Sequence, residues 1–221
     1  MERKIPKSFK YWLRQDLEQY FDIKNVKGDL PLLNEWILSQ NKISVFEKEQ
    51  LEIIKQELQQ NATYWNEEEL KMRFISPLLR LVNIDGEKFR MFFDRQVTAE
   101  YKNIKLTGVA DMLVATGYQV PTKPFFFIHE RSAARFKPEA RLDTDPAGQL
   151  LAEMIAAQVI NDDKKPIFGC YLIGRNWFFV VLEGDEYKIS DAFVATQDDI
   201  FQIFQILRKV KEYIIERVQN A

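Results

Sequence analysis

The sequence has one cysteine and one histidine, Cys170 and His129, among its 221 residues. A single cysteine excludes an intramolecular disulfide framework and any zinc site that needs several thiolates. Cys170 lies in an apolar run, and we expect it to be a small buried side chain. A single histidine excludes metal centres that are built on paired histidines. These counts leave the acidic residues as the main source of site chemistry.

The chain also lacks a large net charge and a long apolar run. Its 31 Lys and Arg nearly balance its 33 Asp and Glu, so contact with nucleic acid would need a local basic patch. No apolar stretch reaches the roughly 18 residues that a membrane span needs. The polar residues Met1–Lys4 show no signal-peptide pattern. We therefore expect a protein of the reducing cytoplasm that does not associate with membranes.

What remains is ordinary globular composition. Hydrophobic residues make up 46% of the chain and aromatic residues 13%, which suffices for one large domain or for one domain plus an extension. Apolar residues recur at helical spacing over residues 8–60, and the period changes to that of strands near Phe89. We predict a helical extension over residues 1–62 and an α/β domain over residues 63–221.

The pattern from residue 66 onward predicts the order helix, three strands, helix, strand. Asn66 and Glu69 form a capping box at the first helix, and Pro77 inside that helix is a candidate kink. Asp145 is the predicted N-cap of the later helix, ahead of Pro146. This order predicts an α/β (α+β) fold, with an αβββαβ core in a mixed sheet flanked by helices. The three strand candidates are Phe89–Tyr101, Leu106–Ala115 and Phe125–Glu130.

Acidic residues fall at the ends of two of these strands. Asp111 lies late in the second strand candidate, and Glu130 ends the third. Gln149 lies on the helix that follows. Mg²⁺ prefers oxygen ligands and keeps several of its waters, so one or two carboxylates are enough to hold it. The pattern indicates a candidate divalent-metal site.

These residues, in this order, resemble the PD-(D/E)XK nuclease-like superfamily over about residues 64–182. Asp111, in the run GVAD, is similar to the first metal-binding acid, and Glu130, in FFFIHE, is similar to the acid of the E-x-K element. Glu67 resembles an acid of the opening helix, and Gln149 resembles the glutamine on the helix after the third strand. The opening helix, with Glu67 ahead of the apolar run Phe74–Leu79, is similar to that of the family's restriction-endonuclease-like members.

The resemblance implies a nuclease that needs Mg²⁺ or Mn²⁺. Asp111 and Glu130 would be metal ligands, Glu67 would support the metal or a second ion, and Gln149 would orient the site or touch the phosphate backbone. DNA is the expected substrate, and RNA stays open. A homodimer is plausible because cutting two strands favours two sites.

One position departs from the family pattern. Members carry a lysine two residues after the glutamate, where this chain has Ser132. Residues 130 and 132 of a regular strand point to the same side, so an ammonium group there would face the metal beside the carboxylate. Ser132 cannot supply that charge. The loop after Glu130 offers four cations: Arg131, Arg135, Lys137 and Arg141.

Two hypotheses follow. In the first, the chain is a metal-dependent nuclease in which Arg131, Arg135 or Lys137 replaces the lysine, and the same loop with Arg141 contacts phosphates. In the second, the chain is a catalytically inactive module of the same fold that binds protein or nucleic acid. The N-terminal helices would then offer a surface for a protein partner. His129 is expected to project to the face opposite Glu130.

Overall fold

A computed structural model describes residues 8–131 and 145–220 of the chain. In this part of the chain a mixed sheet of eight strands lies between helices. The strands are β1 (Lys24–Asn25), β2 (Phe89–Tyr101), β3 (Ile104–Thr116), β4 (Pro124–Arg131), β5 (Ile167–Ile173), β6 (Asn176–Glu183), β7 (Glu186–Ile189) and β8 (Phe193–Val194). The helices are α1 (Arg14–Phe21), α2 (Pro31–Ile37), α3 (Val45–Asn61), α4 (Glu67–Leu70), α5 (Ser76–Val82), α6 (Pro146–Asn161) and α7 (Asp199–Gln219).

The sheet has the strand order β1-β7-β6-β5-β4-β3-β2, and β8 pairs with β6. Strands β2, β3 and β4 form an antiparallel meander, whereas β4 and β5 are parallel. Parallel neighbours need a crossover connection, and α6 provides it. The predicted mixed α/β fold with its αβββαβ order is therefore confirmed. No helix within residues 8–131 and 145–220 is long and apolar enough to cross a membrane.

Both faces of the sheet are covered. Phe126 and Ile128 of β4 belong to a core that includes side chains of α2, α3, α5 and α7. Phe127 between them belongs to a second core, against α1 and α6. This alternation explains why β4 is apolar at every position before His129, since both of its faces are buried. Cys170 of β5 is buried, as predicted.

Helices of the N-terminal stretch pack on this domain. Trp36 of α2 is fully buried, and its indole N–H donates to the carbonyl of Ile206 in α7 at 2.8 Å. One short element differs from the helical prediction for residues 8–60, because Lys24–Asn25 pairs in parallel with β7. That pairing depends on a strand edge more than 150 residues away, which local periodicity does not reveal. The predicted boundary at residue 62 stays a prediction.

The helix that opens the αβββαβ core contains an irregular turn. Its start is the predicted capping box, in which Asn66 and Glu69 bond each other's backbone N–H groups at 2.9 Å. A π-helical turn, Lys71–Ile75, then separates α4 from α5. Pro77 has no N–H to donate, and its ring would crowd the carbonyl four residues earlier in a regular helix. A widened turn just before Pro77 relieves that conflict, and such turns are frequent at functional sites.

The N-terminal segment, residues 8–14, crosses β3 and the start of α6. A Cβ atom added to Gly148 would lie 2.5 Å from the carbonyl oxygen of Trp12. A Cβ atom added to Gly108 of β3 would lie 2.6 Å from the Phe9 ring. Only glycine allows such close approach at these two positions. The segment is thereby held against the sheet, beside the acidic residue that ends the GVAD run.

We predict that Gly148→Ala lowers the free energy of unfolding by about 1–3 kcal/mol, because the added methyl forces the N-terminal segment away from α6. Chemical denaturation measures the change. Gly28→Ala is the matched control, since no atom lies within 4 Å of the added Cβ there. Equal effects of the two substitutions would show that the segment does not pack tightly on α6.

Candidate functional site

A pocket of about 610 Å³ opens where β3 and β4 stop pairing. Its walls come from the N-terminal segment, α4, the strands β2 to β4 and the start of α6. All four acids and amides predicted from the sequence as site residues line it: Glu67, Asp111, Glu130 and Gln149. Further acidic residues in its lining are Glu68, Asp94 and Asp145.

The end of the β3–β4 ladder explains how Asp111 and Glu130 come together. The last paired residues are Met112 of β3 and Ile128 of β4. Beyond this pair, Asp111 and the residues after Ile128 are not part of the β3–β4 register. The Asp111 carboxylate accepts a hydrogen bond from the backbone N–H of Glu130 at 3.2 Å. This bond replaces a strand-to-strand bond and holds the first acid at the backbone of the second.

His129 also lies in this pocket. Its Nδ1 atom is 2.7 Å from Oδ2 of Asp111. The residue is 8% exposed. In the β4–β5 register, His129 pairs with Tyr171 and Glu130 with Leu172, and these two partners belong to the cores on opposite faces of the sheet. The side chains of His129 and Glu130 thus point to opposite faces of the sheet, as successive residues of a strand do. Both still line the pocket.

The surroundings of Asp111 favour its ionised form. Burial alone would raise the pKa of this carboxyl, but the contact with His129 and the hydrogen bond from the Glu130 N–H outweigh it. The positive charge of Lys71 acts in the same direction. The pKa of Asp111 is therefore lowered from its ordinary value, and the side chain is a carboxylate that is available as an oxygen ligand.

The surroundings of Glu130, in contrast, disfavour its ionised form. Burial raises its pKa to about 8, and the negative charges of Asp111, Glu67 and Glu68 add to the effect, while Lys71 opposes it. The side chain is 4% exposed. Its Oε2 atom is buried without a hydrogen-bond partner among the described residues. A buried carboxyl oxygen with no donor is costly, and the raised pKa reflects that cost.

Lys71 supplies a cation that is not among the residues predicted from the sequence. Its Nζ atom lies 3.8 Å from Oε1 of Glu130, 3.8 Å from Oδ1 of Asp94 and 3.9 Å from Oε1 of Glu68. The side chain is only 12% exposed. A signal for it did exist in the sequence: Lys71 follows Glu67 by four residues, and residues four apart share a helix face. The α4 turn indeed runs from Glu67 to Lys71.

Asp94 breaks the regular conformation of strand β2 opposite Asp111. Its neighbours Phe93 and Arg95 pair with Met112 and Ala110, which puts Asp94 opposite Asp111. Its φ angle is 50°, in the left-handed region that few residues other than glycine adopt. Such a conformation in the middle of a strand is a local strain that often accompanies a functional site. Asp94 is an exposed acid of an edge strand, and its sequence context gives no sign of this geometry.

A buried acid on α6 supports Gln149. The Gln149 amide donates to Oε1 of Glu153 at 3.4 Å, and Glu153 is fully buried. Burial, followed by the nearby charge of Asp111, raises the pKa of Glu153 well above its ordinary range. The protonated form is favoured as a result. Glu153 was also missed, although a single acid within an otherwise apolar helical run is a recognisable signal.

Asp145 is at the predicted N-cap position of α6, but its side chain acts differently from a usual cap. That side chain makes no capping hydrogen bond. Oδ2 of Asp145 instead accepts from Nε of Arg14 at 2.8 Å and from the Arg14 backbone N–H at 3.2 Å. A charged donor together with a second N–H is a stronger partner than one backbone amide. The predicted cap therefore ties the N-terminal segment to the pocket.

The structure says little about the other residues that were predicted to form the site. Ser132, Arg135, Lys137 and Arg141 lie outside the described residues, and for Arg131 only its position in β4 is described. Within the described parts of the chain, no three His, Cys, Asp or Glu side chains are already grouped as metal ligands. The pocket thus gathers acids around Lys71 without forming a closed ligand cage.

No protein-family model matches the chain, and no curated protein matches its sequence.

We predict that Glu130→Gln stabilises the metal-free protein increasingly as the pH rises. Because the pKa of Glu130 is raised by folding to about 8, the folded wild type holds a proton that the unfolded chain has already lost. Wild-type stability from this group is complete below about pH 4.5 and is lost as the pH rises towards about 8. Glutamine, which never ionises, escapes this loss.

Denaturant unfolding at several pH values, without divalent metal, measures the effect. The two proteins should be similar at acidic pH and diverge towards alkaline pH. The control Glu49→Gln changes an exposed glutamate of α3 and should show no comparable divergence. A constant gap between wild type and Glu130→Gln at all pH values would contradict the assignment.

Proposed function

We propose that the chain is a phosphodiesterase that cleaves DNA with the help of Mg²⁺ or Mn²⁺, related to the PD-(D/E)XK nucleases. One observation carries the proposal: Asp111, Glu130, Glu67 and Gln149 line one pocket, and the Lys71 ammonium lies 3.8 Å from Glu130. The αβββαβ order that the resemblance requires is present in the structure. Lys71 takes the role that the family gives to a lysine at the position of Ser132.

The residues of the pocket fit a divalent cation. Asp111 is a carboxylate, and Glu130 has a buried oxygen without a partner among the described residues. Both are hard oxygen donors of the kind that Mg²⁺ and Mn²⁺ bind. Mg²⁺ usually takes one or two carboxylates and completes its shell with waters and substrate phosphate. A pre-formed cage of three protein ligands is therefore not required.

The electrostatics of the pocket explain why a cation would be needed. Six carboxyl groups line it, against the two lysines Lys10 and Lys71. A phosphodiester carries a negative charge and is repelled by such a lining. We infer that a divalent ion held by Asp111 and Glu130 would weaken this repulsion for an incoming phosphate.

Each residue then has a role in the hydrolysis. A divalent ion, when bound, activates water and offsets charge on the phosphate. Asp111 and Glu130 would hold the ion, with Glu67 beside them. The Lys71 ammonium would stabilise the charge that develops on the phosphate oxygens. Gln149, anchored by Glu153, would donate its amide to the phosphate backbone.

The alternative is a catalytically inactive module of the same fold that binds protein or nucleic acid. The observation in its favour is that no three candidate ligands in the described residues are grouped to hold a metal. The two functions differ in metal affinity, because an inactive module has no reason to retain a cation site among crowded carboxylates.

We predict that the wild-type protein binds Mn²⁺ or Mg²⁺ and that Asp111→Asn abolishes the binding, because the amide removes the charge but keeps the side-chain size. Isothermal titration calorimetry on both proteins measures it. Asp191→Asn, which alters an exposed aspartate between β7 and β8, is the control and should bind as the wild type does. Flat traces for wild type and Asp111→Asn alike would favour the inactive module.

We predict that Lys71→Ala lowers the turnover of a DNA substrate on the order of 10²-fold, with a smaller change in KM, since the lost charge acts on the transition state. Plasmid or oligonucleotide cleavage in Mg²⁺ and Mn²⁺ measures it. Lys48→Ala removes an exposed lysine from α3 and serves as the control. Equal activity of Lys71→Ala and wild type would exclude the role given to Lys71.

A relocation experiment tests the same role from the opposite direction. If Lys71 replaces the family lysine, then adding Ser132→Lys to Lys71→Ala should restore part of the lost turnover. The restoration is expected because residue 132 faces the same side of a regular strand as Glu130. Failure of the double variant, with metal binding intact, would mean that Lys71 acts by another route.

A further inference from the structure

Strands β2 and β3 extend beyond the rest of the sheet as a two-stranded ribbon. Strand β4 pairs only with residues 112–115 of β3, whereas β2 follows β3 as far as Ile104. Within the described parts of the chain, residues 95–101 and 104–110 therefore pair with no strand but each other. We name these two segments the β2–β3 ribbon.

One face of the β2–β3 ribbon is covered, and the other is open to solvent. Val97, Ala99 and Leu106 belong to the core that also contains Phe9 and Phe21 of the N-terminal stretch. The alternate residues of both strands form the open face, as strand geometry requires. Its side chains are Gln96, Thr98, Glu100, Lys105 and Val109, which are exposed, and Thr107, which is half-buried.

The open face leads out of the pocket that contains Asp111. Val109 precedes Asp111 by two residues, so their side chains lie on the same side of β3. Both side chains line the pocket, and Val109 is 49% exposed. Asp94 lines the pocket from β2, two residues before Gln96. A polymer with one phosphate in the pocket would therefore continue along the open face.

Neutral hydrogen-bonding groups occupy the middle of the open face. The Gln96 amide donates to the Thr107 hydroxyl at 2.7 Å, and the hydroxyls of Thr98 and Thr107 are 2.6 Å apart. These contacts between the two strands hold the three side chains in a fixed arrangement. Glutamine and threonine are among the residues that read base edges in DNA, because glutamine pairs with adenine and threonine offers both a hydroxyl and a methyl group.

The ribbon is positively charged, although the whole chain has a net charge of −2. Residues 95–110 contain three cations and one acid, a net charge of +2: Arg95, Lys102 and Lys105 against Glu100. Asp22 lies 3.4 Å from Lys102, and even with this acid the excess stays positive. The adjacent pocket has six carboxyl groups and two lysines. A phosphate backbone is therefore attracted to the ribbon and not to the pocket.

We propose that the open face of the β2–β3 ribbon binds duplex DNA in the major groove, beside the phosphate that the pocket receives. Gln96, Thr98 and Thr107 would contact base edges, and Lys105 would contact the phosphate backbone. The inference rests on the proposed function, from which it takes DNA as the substrate. It adds a surface that recognises the sequence next to the cleaved bond.

The dimensions of the ribbon fit this groove. The major groove of B-DNA is about 12 Å wide and admits a two-stranded β-ribbon. Each strand of the ribbon has seven residues and, at about 3.4 Å per residue, spans roughly 20 Å. That length equals about six base pairs, at about 3.4 Å each. Duplex RNA has a deep, narrow major groove that side chains cannot read, so the ribbon favours DNA.

Binding without divalent metal tests the ribbon separately from cleavage. The full chain is titrated into a labelled duplex DNA of random sequence, in EDTA and at several salt concentrations, and fluorescence anisotropy gives the affinity. Lys105→Ala should weaken binding several-fold and reduce the slope of log K against log salt by about 1, because one phosphate contact is lost. Lys48→Ala on α3 is the matched control and should bind as the wild type does.

Sequence preference tests the neutral part of the open face. Duplexes that the wild type selects from a random pool should share a short preferred sequence. Gln96→Ala should keep most of its affinity for the pool but lose on the order of tenfold in preference at one or two adjacent base pairs. Gln56→Ala, at an exposed position of α3, is the control. Thermal unfolding of each variant checks that it is folded.

The possible failures are distinguishable. Cleavage by the wild type, with affinity, salt slope and sequence preference unchanged in Lys105→Ala and Gln96→Ala, would overturn the role of the ribbon and leave the proposed function standing. Tighter binding of single-stranded DNA or duplex RNA than of duplex DNA would also overturn it. Binding of duplex DNA that depends on both residues, without cleavage in Mg²⁺ or Mn²⁺, would support the ribbon and favour the inactive module. A wild type that neither binds nor cleaves duplex DNA would overturn both proposals.

Discussion

Six carboxyl groups line one pocket of this protein. Their mutual repulsion, together with partial burial, governs the ionisation of the groups in the pocket. Glu130 has a pKa of about 8 because burial and neighbouring negative charges disfavour its ionised form. Asp111 stays ionised only because His129, a backbone N–H and Lys71 compensate for its burial. Folding alone gains little from such a cluster.

The fold creates this crowding through several local irregularities. The β3–β4 ladder stops at Met112 and Ile128, Asp94 leaves the regular strand conformation, and a π-helical turn begins at Lys71. The N-terminal segment closes the far side through the ion pair of Arg14 and Asp145. Each departure from regular structure brings a polar group to the same opening, and the regular sheet and helices behind it hold those groups in place.

Local patterns predicted the secondary structure well because they report local physics. Alternating and β-branched residues predicted β2, β3 and β4, and the Asn66–Glu69 capping box is present as predicted. The pairing of Asp111 with Glu130 was suggested by the family resemblance. In the structure the two meet because Asp111 lies near the middle of β3, next to the last residue pair of the antiparallel β3–β4 ladder. Lys71, Asp94 and Glu153 could not be found in this way, although Lys71 shares a helix face with Glu67. Their roles arise from contacts between distant segments.

The sequence by itself determined the αβββαβ order through its periodicity, and it indicated the candidate acids through their strand positions and the family resemblance. Only the tertiary structure decided which cation faces Glu130. It also decided that His129 lies beside Asp111 and that the side chain of Asp145, at the N-cap position of α6, binds Arg14. The physical reason is that charge interactions depend on distance in space, and Lys71 is separated in the chain from β4, which carries Glu130, by one helix and two strands.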